Sequence, residues 1–96
     1  TDVQGLPPHV IRLQNDWLLA TYAKRWEPLG EYACVSRDNG ATWDTAHEVK
    51  IAPAPNGDIG YPATVQLADG SFFSVFYQAE KDGERPCLMG RRWKLD

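Results

Sequence analysis

Short apolar runs alternate along the whole chain with clusters of Pro, Gly, Asn and Asp. Runs rich in β-branched and aromatic residues, bounded by such clusters, are typical of β-strands separated by turns. Trp17–Trp26 is the segment closest to a helical pattern, but it has no good N-cap and its neighbours favour a hairpin. The pattern therefore predicts an all-β chain. The expected strands are Val10–Gln14, Trp17–Lys24, Glu31–Arg37, Ala46–Ile51, Ala63–Leu67, Ser71–Gln78 and Arg85–Lys94.

The same pattern occurs twice, at an offset of 54 residues. The matched positions are turns and apolar residues, where a repeated fold constrains the sequence. We therefore expect two copies of one antiparallel meander within a single segment, 1–96: a first copy at 9–52 and an incomplete second copy at 61–96. Matched pairs include Ile11 with Val65, Asn15-Asp16 with Asp69-Gly70, and Cys34 with Leu88.

A four-stranded antiparallel unit repeated in tandem is typical of the blades of a β-propeller. Each blade has two faces to cover, and one neighbour covers only one of them. The chain is therefore expected to be part of a longer chain, or several copies are expected to assemble into a closed ring, three copies giving six blades. A face-to-face sandwich of the two sheets is the remaining arrangement.

Composition excludes several classes of function. The net charge is −3 and the basic residues do not cluster, which argues against a nucleic-acid surface or a polybasic membrane patch. No apolar run approaches the roughly 18–20 residues that span a bilayer. Cys34 and Cys87 each lie in an apolar run, which favours two buried thiols over a disulfide or a metal site. We expect no metal and no cofactor, and localisation stays open between secreted and cytoplasmic in a bacterium.

One motif is highly specific. Residues Ser36 to Trp43 are S-R-D-N-G-A-T-W and match the Asp-box, S-x-D-x-G-x-T-W, at every fixed position. Asp38 can accept N–H bonds across the turn, Gly40 suits a left-handed conformation, Ser36 and Thr42 supply hydroxyls, and Trp43 can fold back as an apolar plug. These properties indicate a structural turn between two strands, not a catalytic acid.

With this motif the chain resembles the sialidase-like (BNR/Asp-box) β-propellers, over nearly all of its length. Further similar segments are G-L-P-P-H-V-I-R-L at 5–13, Y-A-K-R at 22–25, D-I-G-Y-P-A-T-V-Q-L-A-D-G at 58–70 and R-R-W-K-L at 91–95. The resemblance implies antiparallel four-stranded blades, about two of an expected six, from the C-terminal part of such a protein.

Strand direction alone sorts the candidate residues onto two rims. Because successive strands alternate in direction, the start of the first strand and the loop after the second lie at the same edge of a sheet. The Asp-box turn lies at the opposite edge. The residues expected together on the first rim are His9, Arg25, Trp26, Asp58, Tyr61 and Gln78.

The resemblance implies a carbohydrate-active site on this rim. Tyr61 matches the family's Tyr nucleophile, which approaches an anomeric centre bearing a carboxylate with little charge repulsion. Arg25 matches one of three arginines that clamp that carboxylate, and His9 is placed to bind a sugar hydroxyl. The sequence departs from sialidases in having Tyr61-Pro62 for Tyr-Ser and Tyr77-Gln78 for Tyr-Glu. The remaining catalytic residues would come from earlier blades.

Three functions are compatible with these residues. The first is an exo-glycosidase acting on terminal sialic acid or another acidic sugar once the propeller is complete. The second is a non-catalytic, lectin-like sugar-binding module, for which Trp26 would offer a stacking surface. The third is a stand-alone two-blade unit that forms a ring, for example a homotrimer.

Overall fold

The fold is given by a computed structural model that describes residues 6–26, 28–55, 59–79, 81, 83, 85 and 87–95. The strands form two antiparallel sheets, one in the order β1-β2-β3-β4 and the other in the order β5-β6-β7. This confirms the predicted all-β class. The elements are β1 (Leu6–Arg12), β2 (Leu18–Lys24), β3 (Gly30–Ser36), a one-turn 3₁₀ helix (Thr45–His47), β4 (Val49–Pro53), β5 (Gly60–Gln66), β6 (Phe72–Gln78) and β7 (Cys87–Trp93).

The two sheets share the same local geometry. β5 and β6 follow β1 and β2 at the offset of 54 residues that the sequence shows, and both β1 and β5 pair with a register shift near their start. In the third strand the offset becomes 57, because the segment before β7 is three residues longer than the segment before β3. Cys34 therefore corresponds to Arg91, and its sequence match with Leu88 is wrong.

Two other details differ from the sequence prediction. β4 begins at Val49 and not at Ala46, because the 3₁₀ turn occupies the preceding residues; the Asp44 N–H donates to the Val35 carbonyl at 2.9 Å. Cys34 is buried as expected, but Cys87 is exposed, and the two are not joined in a disulfide. The reason is that, within the described ranges, no strand pairs with the outer edge of β7.

The main core lies between the two sheets. Alternate residues of β2 and β3 and of β6 point into it. The Phe72 and Trp93 rings stack there with centroids 4.7 Å apart, a favourable aromatic arrangement. The buried members of this core are Leu13, Leu19, Ala33, Val35, Ile51, Ala52, Phe72 and Phe76. The other face of β2 and β3 carries a second cluster of Ala20, Tyr22, Tyr32 and Cys34, against which Trp43 packs.

A chain of buried hydroxyl groups crosses between the sheets. Thr64 Oγ1 donates to Thr21 Oγ1 at 3.2 Å and lies 2.7 Å from Ser74 Oγ. The Trp93 indole N–H donates to Ser74 Oγ at 2.9 Å. Because buried polar groups are costly without partners, the Thr64–Thr21 bond, which joins β5 to β2, favours one lateral alignment of the two sheets.

The turn at residues 36–43 has the bonds that its sequence suggests. Asp38 Oδ1 accepts from the Thr42 N–H and from the Ser36 hydroxyl, both at 2.8 Å, and Asp38 Oδ2 accepts from the Thr42 hydroxyl at 2.5 Å. Gly40 has a φ of +93° and donates its N–H to Ser36 Oγ. Trp43 is half-buried against the second apolar cluster. The Asp38 carboxylate therefore accepts its hydrogen bonds from residues of its own turn.

Acid should destabilise the protein through two such turns. The bonds from Thr42 and Ser36 lower the pKa of Asp38 to about 2, and those from Ser71 lower the pKa of Asp69 to about 2. A depressed folded-state pKa stabilises the fold above the unfolded value, near ~4, and this stability is lost as pH falls toward 2. We expect the urea midpoint to fall between pH 4 and pH 2, and to fall less steeply in Asp38→Asn.

The matched control for this measurement is Asp16→Asn, a surface carboxylate in another turn that accepts no hydrogen bond from the described residues. Asp16 has a φ of +70°, which Asn tolerates well. Its variant should keep the wild-type dependence on pH. If Asp38→Asn and Asp16→Asn gave the same profile, the role assigned to the Asp38 carboxylate would be wrong.

Candidate functional site

Arg25 joins the two sheets at one end of the molecule, which we call the rim: the end where β2 and β6 finish and β3 and β5 begin. Its Nε donates to the Ile59 carbonyl at 2.8 Å, and its Nη2 donates to the Tyr77 hydroxyl at 3.3 Å. A Cβ on Gly60 would lie 3.1 Å from Nη2, so glycine leaves room for the guanidinium. The arginine head is therefore held in place while its residue remains exposed.

Tyr61 projects into solvent beside this arginine. It is 66% exposed and stacks on Tyr77, with ring centroids 5.7 Å apart and an interplanar angle of 23°. Its φ is +51°, uncommon for a residue with a side chain, and it lies within the register shift between Gly60 and Ala63. The irregular strand start aims the phenol outward at the rim, where sequence reasoning expected it.

Glu31 is a site residue that sequence reasoning did not single out. It is fully buried near the start of β3, opposite Ala23 and Ala52, and neither carboxylate oxygen has a hydrogen-bond partner among the described residues. Burial raises the pKa of Glu31 to about 7, against the lowering effect of the Arg25 charge. The available signal was an acidic residue inside G-E-Y-A-C-V-S, an otherwise small and apolar strand.

Two of the expected rim residues are turned inward. Gln78 is 4% exposed and donates from Nε2 to the Pro53 carbonyl at 2.8 Å; it lines a cavity of about 330 Å³ between the sheets. His9 is half-buried and accepts from the Thr64 N–H at Nδ1, at 3.1 Å. Both side chains bridge the two sheets, and their polar atoms named here are engaged in these bonds.

The other residues singled out in the sequence differ in where the structure places them. Trp26 follows Arg25 and is 43% exposed, as a stacking surface requires. Asp58 lies outside the described residues. The turn at residues 36–43 is at the opposite end, where Asn39 accepts from Arg12, the last residue of β1. The described rim therefore combines a fixed arginine, a stacked tyrosine pair, an exposed Trp and a buried carboxylic acid.

The described ranges hold neither a candidate metal cluster nor a candidate membrane-spanning helix. No three of their His, Cys, Asp and Glu residues come together in a way that could hold a metal ion. Within the same ranges no helix has the length and apolar character needed to cross a bilayer.

Comparison with known proteins gives one informative similarity. No protein-family model matches the chain, and no curated protein matches it. A crystal structure of a protein of unknown function from Dyadobacter fermentans DSM 18053 is similar, with 27% identity and a TM-score of 0.80. The alignment covers 99% of this chain and 26% of that one, so this chain spans about a quarter of its length.

Proposed function

We propose that the chain forms two adjacent blades of a sialidase-like β-propeller whose rim binds a carbohydrate carrying a carboxylate. The observation that carries the proposal is the Arg25 guanidinium, held by the Ile59 carbonyl and the Tyr77 hydroxyl beside the stacked Tyr61 ring. An arginine fixed by its own bonds loses little side-chain entropy when it forms a bidentate pair with a carboxylate. Aromatic rings alongside supply apolar surface for a sugar face.

The propeller part of the proposal is supported by two independent features. The two sheets repeat at a near-constant offset, and each pairs its strands in sequence order. The similar solved structure is about four times longer than the matched region, which leaves room there for further units. In this interpretation the remaining blades, or copies of the chain in a ring such as a homotrimer, are its partners.

The proposed activity is exo-glycoside hydrolysis of a terminal sialic acid or another acidic sugar. A base on another blade would take the phenol proton as Tyr61 Oη bonds to the anomeric carbon and the bond to the leaving group breaks. An acid on another blade would give its proton to the leaving oxygen and would then take one from the water that displaces Tyr61 from the anomeric carbon, while the base returns its proton to the phenoxide. Arg25 would hold the sugar carboxylate through both steps.

A non-catalytic, lectin-like module is the second candidate. It is favoured by the surroundings of Tyr61, whose hydroxyl forms no hydrogen bond with a carboxylate in the described part of the chain. A phenol acting as a nucleophile needs a base to take its proton, and the described residues place none in hydrogen-bond contact with Tyr61. Trp26 would then be a principal sugar contact.

The two candidates give opposite results with a fluorogenic sialoside and the protein in its full natural length. For the enzyme, Tyr61→Phe should reduce turnover by at least about a thousandfold, because the nucleophile is lost while binding remains. For the lectin, a glycan array should show binding that survives Tyr61→Phe and is lost with Trp26→Ala.

Val65→Ala is the matched control, since Val65 is 57% exposed on the same strand as Tyr61 and away from the rim. It should change neither turnover nor binding. A folded protein that neither hydrolyses nor binds any acidic sugar would refute both candidates. Light scattering on the same sample separates a monomer from a ring.

A further inference from the structure

Glu31 is a buried acid that has no role in the proposed function described above. Along β3 its side chain alternates with Tyr32 and shares a face with Ala33 and Val35, which belong to the core between the sheets. It is 0% exposed, and both its oxygens lack hydrogen-bond donors among the described residues. A buried carboxylate without donors is unstable as an anion, so it readily holds a proton.

Arg25 is the cation that acts on this carboxylate. It follows β2, whose Ala23 lies opposite Glu31, and its charge favours the ionised acid. The same guanidinium is the group exposed at the rim and anchored on Ile59 and Tyr77. One positive charge is therefore shared between a buried acid and any anion that binds outside.

The other charged and titratable groups nearby are engaged elsewhere. Lys24 of β2 pairs with Glu48 at 2.6 Å and lies over the Tyr32 ring, on the opposite face of the sheet. Lys50 of β4 lies over the same ring, 5.8 Å from its centroid. From β1, His9 bonds to Thr64, and from β6, Tyr77 bonds to Arg25. Among the described residues, Tyr61 of β5 and Arg91 of β7 also carry titratable or charged side chains, and both are exposed to solvent.

We infer that Glu31 is the proton-binding group that controls how strongly Arg25 attracts an anionic ligand, so that binding of a sugar acid at the rim is accompanied by proton uptake. The inference rests on the proposed function and specifies its regulation. Ionised Glu31 neutralises part of the Arg25 charge. When a ligand carboxylate arrives, the two anions compete, and protonation of Glu31 removes the competition.

The direction of the effect follows from linkage. A bound anion raises the proton affinity of Glu31, so lowering the pH from 8 to 6 should tighten binding, with a plateau once the acid is neutral. A change of one unit in the pKa of Glu31 on ligand binding corresponds to about a tenfold change in Kd at most. We expect a three- to tenfold gain, roughly the effect of half to one such unit.

The first experiment needs no ligand. Carbon-13 NMR of the Glu side chains, assigned with Glu31→Gln, should show Glu31 titrating near neutral pH in the full natural chain, and at higher pH in Arg25→Gln because the nearby positive charge is gone. A Glu31 signal that titrates at the ordinary carboxyl range, or that does not respond to Arg25→Gln, would overturn the inference whatever the sugar does.

The second experiment measures the Kd of N-acetylneuraminic acid by calorimetry from pH 6 to pH 8, with its uncharged methyl ester as the matched ligand. Wild-type protein should bind the acid more tightly at pH 6, and Glu31→Gln should bind it at pH 8 about as tightly as wild type does at pH 6. The methyl ester should show no such dependence. A pH-independent Kd for the acid refutes the inference alone; no binding at any pH refutes the proposed function, and the inference falls with it.

Discussion

Phe72→Ala should destabilise the protein by about 3–5 kcal/mol, a large share of the stability of a domain of this size. Phe72 is 1% exposed, lies in the core between the sheets and stacks on Trp93 at 4.7 Å. Removing its ring leaves a cavity at the contact of both sheets, because neighbouring strands are held by their ladders and close in only partly. Chemical denaturation of the full natural chain measures the loss.

Phe73→Ala is the matched control for this prediction. Phe73 is the next residue of β6, points to the opposite face and is 40% exposed, although its ring covers Gly90. Its truncation should cost about 1 kcal/mol or less, as substitutions at partly exposed sites usually do. Similar losses for the two variants would mean that the face of the second sheet assigned to the core is wrong.

Arg25→Gln should weaken binding of N-acetylneuraminic acid by about ten- to a hundredfold at pH 6. The variant keeps hydrogen-bonding capacity but removes the charge, and a charge-assisted bidentate pair contributes roughly 1.5–3 kcal/mol. Arg25→Lys should give an intermediate loss, because an ammonium group cannot reproduce the fork that contacts Ile59 and Tyr77 while holding a carboxylate. Calorimetry with the acid and its methyl ester gives the two affinities.

Arg92→Gln is the control that separates a local effect from a change in net charge. Arg92 has a 63% exposed side chain and pairs with Asp69 in the turn before β6, at the end of the molecule opposite the rim. Its removal changes the net charge of the protein by the same amount, and it should leave the Kd unchanged within about twofold. An equal loss in both variants would show that Arg25 acts only through long-range charge.

The strands were predictable where local pattern and turn chemistry agree. Apolar alternation and the Asn-Asp and Asp-Gly turns define β1, β2, β5 and β6 to within a few residues. The start of β4 was missed because the 3₁₀ turn depends on the Asp44 bond to Val35, a contact between segments. The exposure of Cys87 was missed for a similar reason: burial depends on which strand lies alongside, and an apolar run does not contain that information.

At the rim, strand direction was enough to bring Arg25 and Tyr61 to one end of the molecule. It could not give the side-chain direction of Gln78, which turns toward the Pro53 carbonyl of the other sheet. Nor could it identify Glu31, because an acidic residue at a strand start is usually solvated. The burial of Glu31 comes from packing between sheets, a property that neither repeat has by itself.

The buried hydroxyl bond between Thr64 and Thr21 also bears on the geometry of the rim. Arg25 belongs to the first sheet and Tyr77 to the second, so their contact spans the boundary between two separately built units. A slip of the sheets past each other by one residue, about 3.3 Å, would break the bond from Thr64 of the second sheet to Thr21 of the first. A buried hydrogen bond between two threonines thus helps to hold Arg25 and Tyr77 at a fixed separation at the rim.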